Sequence, residues 1–346
     1  MIVSIDKLSE STYIYQNLPD HTLDKISTLC PLDNGRHHTS ASSSKANTNT
    51  LGTLDQLPLE LLHMTLAQLE IQSLTDFRRV NRRAMLIVDS IPEYAQIIAH
   101  VPISIRAILS IGSGSWISCQ DLYQKLCTAE CDICGDFGGY LYLITCRRVC
   151  YLCFAWERDY LPLLRTDVLR KFGLRNEHLA GLPSMRSLPG VYSPREIKSR
   201  ARITLIDHST ARQAGIALHG TESAMEQYAS NMASKRLEKY QSRKSLHELA
   251  GRVAGPTPRR PRSEDAFDGV DSNPKRFMAI ICAPFLDRRR HGPSTCIEWG
   301  FQCLACKPLH YHKPFHWRRK FTEESFQTHL RECGEIMDGK HKQGVN

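Results

Sequence analysis

Residues 57–88 read LPLELLHMTLAQLEIQSLTDFRRVNRRAMLIV, and this stretch decides the fold class. Pro58 suits a first helical turn, where its missing N–H would have had no partner. Leu62, Leu66 and Leu69 then recur at helical spacing on one face. Ser73, with Asp76 three positions on, reads as the capped start of a second helix. Its apolar stripe runs through Leu74, Phe77, Val80, Ala84 and Ile87 or Val88, with Arg78, Arg79, Arg82 and Arg83 on the polar side. Ile91-Pro92 restarts a third helix, with Tyr94, Ile97 and Ile98 turned inward. The expectation is a mainly α protein whose residues 54–100 form a three-helix bundle, with a core too small to be more than marginal alone.

Outward from this bundle, composition divides the 346 residues. Residues 1–53 are expected to be a largely disordered leader, because 33–53 are rich in Ser, Thr, Asn and Gly with almost nothing to bury. Residues 255–275 read as a second such linker. Between them lie a helical spacer with a cysteine cluster (101–165) and a helix-containing region (166–254) with a long helix-prone run from about Glu222 to Ala250. Residues 276–346 form the C-terminal segment. No apolar run reaches the roughly 20 residues of a membrane span, and the N-terminus lacks a secretory signal. The expected setting is intracellular, in cytoplasm and/or nucleus, where the 13 cysteines read first as metal ligands rather than disulfides.

Cys131-x-x-Cys134 and Cys150-x-x-Cys153 have the spacing of two knuckles on one structural zinc. Gly138-Gly139 followed by β-prone Tyr140 to Ile144 suggests a hairpin returning the chain to the second knuckle, and residues 151–161 read as a helix, giving a small treble-clef-like α+β unit. Iron–sulfur ligation uses the same residues, and free packing thiols are the plainer alternative. Cys146, Cys119 and Cys127 read as packing residues.

A second cluster, Cys303-x-x-Cys306 with His329-x-x-x-Cys333, reads as a finger-like zinc site of three cysteines and one histidine, whose last two ligands project from a helix capped at Thr322. His310, His312 and His316 lie loose nearby. Arg288-Arg289-Arg290 and Arg318-Arg319-Lys320 flank it, with Trp317 and Phe321 alongside. Basic groups among aromatics support an alternative reading, a zinc-stapled nucleic-acid-binding or regulatory protein; a solvated basic face is the plainer one. The excess of 45 Lys and Arg over 36 Asp and Glu fits either. No phosphate-cradling glycine loop is present, and His247-Glu248 lacks the second histidine of a zinc-protease helix, so no active site is expected.

The opening stretch resembles an F-box: Leu57-Pro58, Glu60, a leucine-rich helix, then Leu74-x-x-Phe77-Arg78-x-Val80. The resemblance implies docking on the Skp-type adaptor of a cullin–RING ubiquitin ligase through Leu57, Pro58, Leu61, Leu62, Leu74 and Val80. Ala84 stands where many F-boxes carry an aromatic. Further along, residues 131–154, LPSMRSLPGVYS (182–193), ALHGTESAMEQY (217–228), RFMAIICAPFLD (276–287) and WGFQCLACK (299–307) resemble a group of fungal F-box proteins. That implies a non-enzymatic adaptor recruiting an unknown protein target through its C-terminal region.

Overall fold

The computed structural model describes residues 11–13, 21–23, 50–193, 195–250, 257–261, 273–287, 296–307 and 316–342. Most of the expected leader, most of the expected linker, and Arg288–Arg290, His310 and His312 lie outside the described residues. The chain order begins with a short strand β1 (Thr12–Tyr13). Six short helices then run in succession: α1 (Leu59–Ala67), α2 (Ile71–Arg78), α3 (Arg82–Ser90), α4 (Pro92–His100), α5 (Pro102–Ile111) and α6 (Cys119–Leu126).

Local chemistry sets these boundaries. The expected single helix through Val80 and Ala84 is two, because Asn81 leaves helical backbone and its side chain accepts the Ala84 N–H at 2.8 Å. Asn81→Ala should therefore cost about 1 kcal/mol of stability, read by urea denaturation. The second helix starts at Ile71, not Ser73: Glu70 bridges Ser118, and the Ile71 N–H is held by the Ile117 carbonyl. Asp76 accepts from the Gln72 amide instead of capping. Arg78 is buried, not solvated, and donates twice to Asp89, tying α2 to α3.

That Glu70–Ser118 bridge joins the opening helices to the loop before α6, so the bundle does not end at residue 100. One continuous core runs from Leu62, Leu74 and Ile97 through Ile105 and Leu122 to Leu141, Phe277 and Leu286. The apolar pair α4–α5 is bent by 95° and buries Ile97, Ile105 and Ile108 in this core. Among the described residues no single helix is long and apolar enough to cross a membrane.

The expected hairpin is β2 (Tyr140–Tyr142) with β3 (Arg147–Val149), leading into α7 (Tyr151–Trp156). A third strand, β9 (Ile280–Cys282), lies antiparallel on β2, with Leu141 opposite Ile281. Residues 276–283 thus pack with the first cysteine unit and not with the C-terminal finger. A second core gathers β4 (Leu163–Leu164), α8 (Arg165–Lys171), β8 (Thr204–Ile206) and α9 (His208–His219); β5 (Ser184–Arg186) extends the sheet in the order β4-β8-β5 while its Met185 joins the first core. Between β5 and β8 lies the hairpin β6 (Gly190–Tyr192) with β7 (Ile197–Ser199). The long helix α10 (Glu222–Ala250) covers the expected span.

The last unit holds β10 (Phe285–Asp287) with β11 (Cys296–Glu298), then β12 (Phe301–Cys303), β13 (Lys320–Phe321), α11 (Glu323–Cys333) and the hairpin β14 (Ile336–Met337) with β15 (Lys340–His341). Thr322 caps α11 as expected. β1 pairs with the free edge of β12, Thr12 opposite Cys303, and Thr22 and Leu23 are fully buried. Parts of residues 1–53 are therefore built into the fold, which their composition hid.

Candidate functional site

Helix α1 divides its apolar residues between two faces. Leu62, Leu66 and Ala67 are buried, whereas Leu59, Leu61 and Met64 are 47%, 51% and 67% exposed. Leu57 and Pro58 precede it in the open, and Val80, between α2 and α3, is 67% exposed. Large exposed apolar side chains gathered on one short segment mark an interaction surface. Of the six expected docking residues, Leu57, Pro58, Leu61 and Val80 stand outward. Leu62 and Leu74 do not: at 3% and 1% exposed they are core, and no partner reaches them while the helices keep this packing. Leu54, Leu59, Met64 and Leu86 are exposed additions that periodicity alone did not single out. Ala84 is fully buried.

Residues 54–96 match the F-box domain. An F-box implies an adaptor role in an SCF-type ubiquitin ligase, bound to the Skp-type component of the cullin–RING assembly. The F-box match ends within α4, although the structure continues its packing through α6. No curated protein and no solved structure matches the chain.

Beyond the F-box, Cys131, Cys134, Cys150 and Cys153 come together with all four sulfurs within 4.8 Å of one another. Four thiolates around a tetrahedral zinc at 2.3 Å stand about 3.8 Å apart; Cys134 and Cys150 are separated by 3.6 Å. The first knuckle turns because the Cys131 carbonyl accepts the N–H of Gly135, whose φ of 78° suits glycine. In the second, Cys150 caps α7 and its sulfur accepts the Cys153 N–H at 3.4 Å. A hydrogen bond from Cys150 draws the Cys131 thiol down to about 5, while that same contact and burial push Cys150 up. Such a set, all sulfur and largely buried, fits a closed structural metal site with no open position for substrate. Cys146 is buried beside it with its thiol pushed up to about 12 by desolvation, in keeping with a packing role.

The C-terminal cluster departs from expectation at its fourth position. Cys303, Cys306 and His329 assemble with His341, not Cys333. Nε2 of His341 lies 3.4 Å from both sulfurs, and its Nδ1 lies 2.9 Å from the Gly334 carbonyl. A proton donated there leaves Nε2 free as a ligand atom, the usual second-layer support of a metal-bound histidine. His329 reaches Cys306 at 3.5 Å through Nε2. Cys333 closes α11 outside this set. The spacing pattern missed His341 because the β14–β15 hairpin that delivers it lies beyond the helix. Cys333→Ser should keep the metal of this centre, and His341→Ala should lose it, by mass spectrometry of the native protein.

The two clusters touch. Arg319 pairs with Asp136 of the first knuckle at 2.5 Å, and the Arg318 guanidinium lies 3.4 Å above the Tyr151 ring. The basic string beside the second cluster is thus turned onto the first.

Proposed function

We propose that this chain is a non-catalytic, substrate-recruiting adaptor of an SCF-type ubiquitin ligase, acting in cytoplasm or nucleus. The observation that carries the reading is the F-box match over residues whose outward face is apolar. In this reading Leu57, Pro58, Leu61 and Val80 seat the Skp-type adaptor, and Leu62 and Leu74 hold the helices that present them. Two structural zinc ions staple the remainder: one on Cys131, Cys134, Cys150 and Cys153, the other on Cys303, Cys306, His329 and His341. The region beyond residue 166 recruits a protein target and raises its effective concentration near the ubiquitin-charged enzyme. A nucleic-acid role draws no support from Arg318 and Arg319, whose charges face Tyr151 and Asp136.

Co-purification with a Skp-type adaptor tests the reading. Wild-type chain is expected to bind stoichiometrically, and Leu61→Asp/Val80→Asp to lose binding by at least about a hundredfold, since burying unpaired carboxylates in an apolar contact costs several kcal/mol. Wild-type protein that is folded and zinc-loaded yet ignores the adaptor would defeat the proposal.

A further inference from the structure

Helix α10 is about 44 Å long at 1.5 Å per residue, and only its base is packed. Met225 is 2% exposed against Phe172 and Gly215, and Tyr228 lies on His219 with ring centroids 4.6 Å apart. From Ala233 to Leu249 every residue is exposed except Tyr240 and His247, which are half-buried. Helices in proteins draw most of their stability from packing a face, and this arm packs none.

The sequence of this arm has a seam. Positions spaced alternately three and four apart lead from Met225, Tyr228 and Met232 at the base to Lys235 and Lys239, then through Ser242 to Leu246 and Leu249 near the tip. Leu246 and Leu249 are 66% and 84% exposed. The face that packs at the base therefore continues outward, with cations midway and leucines beyond. Lys235, Lys239 and Arg243 are also a row of like charges four apart, which weakens an isolated helix, and Arg236 adjoins them. Among the described residues none of these four has a carboxylate partner, although Lys244 finds Glu248 at 3.6 Å.

These features choose among occupants. Two parallel copies of the arm would set lysine against lysine, and two antiparallel copies would set it against lysine or leucine, leaving the cations unpaired in every register. A phosphate backbone would satisfy the cations and leave the leucines in water. A helical protein segment with carboxylates midway and an apolar end satisfies both. We propose that the distal half of α10 docks such an acidic, leucine-ended segment of a partner protein, its carboxylates meeting Lys235, Lys239 and Arg243 and its apolar end covering Leu246 and Leu249. This deepens the adaptor reading by naming a surface for the recruited target. Binding at α10 does not need the ligase, so it is measured without it and fails or succeeds separately from F-box docking.

The test uses the full zinc-loaded chain and a synthetic helical peptide with glutamates at its central seam positions and leucines at one end, followed by fluorescence anisotropy at low salt. Wild type is expected to bind, and Lys235→Glu/Lys239→Glu to bind at least about tenfold more weakly, with recovery when the peptide carries lysines for glutamates. Leu246→Ser/Leu249→Ser is expected to weaken binding about tenfold with helicity unchanged. Failure of the wild type to bind, or equal binding by the leucine variant, overturns the proposal. So does tighter binding of duplex DNA or phosphatidylserine vesicles through the same cations. Neutralising Glu264, Asp265, Asp268 and Asp271 leaves affinity unchanged if the occupant comes from outside. A tenfold gain would mean that the chain's own acidic run competes for the arm, and would overturn the outside partner.

Discussion

Replacing Cys150 with serine is expected to remove one equivalent of zinc from the purified chain and to unfold the unit around it. Cys150 is both a member of the first sulfur quartet and the cap of α7, so a single change strikes the metal site and a helix start. A structural zinc contributes about 10–16 kcal/mol of apparent folding free energy, more than most domains hold in reserve. The loss would spread, because β2, Val149 and Phe154 share one hydrophobic core with Leu62, Leu74 and Tyr94 of the F-box. Chelation of wild-type protein should accordingly lower the thermal midpoint and weaken Skp-adaptor binding together. Native mass spectrometry and a thermal melt check both; a metal-free protein with an unchanged midpoint would end the structural-zinc reading.

The second large effect is expected at Arg148. This side chain is fully buried. Its Nη1 donates to the Lys125 carbonyl at the end of α6, and its Nη2 to the Ala283 carbonyl just after β9. Its stem lies so close to Gly138 that a Cβ there would stand 2.7 Å from Arg148 Cγ. Burial pushes the guanidinium down to about 10, so it remains protonated at neutral pH, facing Glu130 and Asp132. Arg148→Ala takes one donor from each of these carbonyls, unbalances those carboxylates and opens a void, a combination worth about 3–5 kcal/mol. Arg148→Met keeps the stem and should lose less. Urea denaturation followed by tryptophan fluorescence would show the order; equal stability of all three proteins would mean that Arg148 anchors nothing.

How much of this was legible in the sequence depended on the range of the signal. Leu57 to Val88 announced its helices because they are written in spacings of three and four, and its resemblance to an F-box lay in Leu57-Pro58, Glu60 and the run from Leu74 to Val80. The Cys131–Cys153 quartet was equally legible, since both knuckles and the hairpin between them are neighbours along the chain. The same local reading could not tell Leu61 from Leu62. Which leucine faces outward is decided by α3 and α4, which pack on α1 from elsewhere in the sequence. Asn81 was within reach, since asparagine is a favoured N-cap residue, but the stripe from Leu74 to Val88 masked it. Cys333 was read as the fourth ligand, and His341 was missed, because four-residue helical spacing is visible and a hairpin of two-residue strands is not. The placements of β1 on β12 and of β9 on β2 leave no local trace at all.

β9 carries a consequence for how the chain is made. Its partner β2 is complete once residue 142 has been synthesised, yet β9 spans 280–282. At ~5–20 residues per second, the ribosome needs several seconds or more to supply it. Through that interval one edge of the β2–β3 pair presents unsatisfied amides and carbonyls to any passing strand. Pairings this distant along the chain form late, after the loop between them has closed. The nascent protein therefore spends its youth with an open seam at the metal unit, and a product terminated before residue 280 would keep that seam for life.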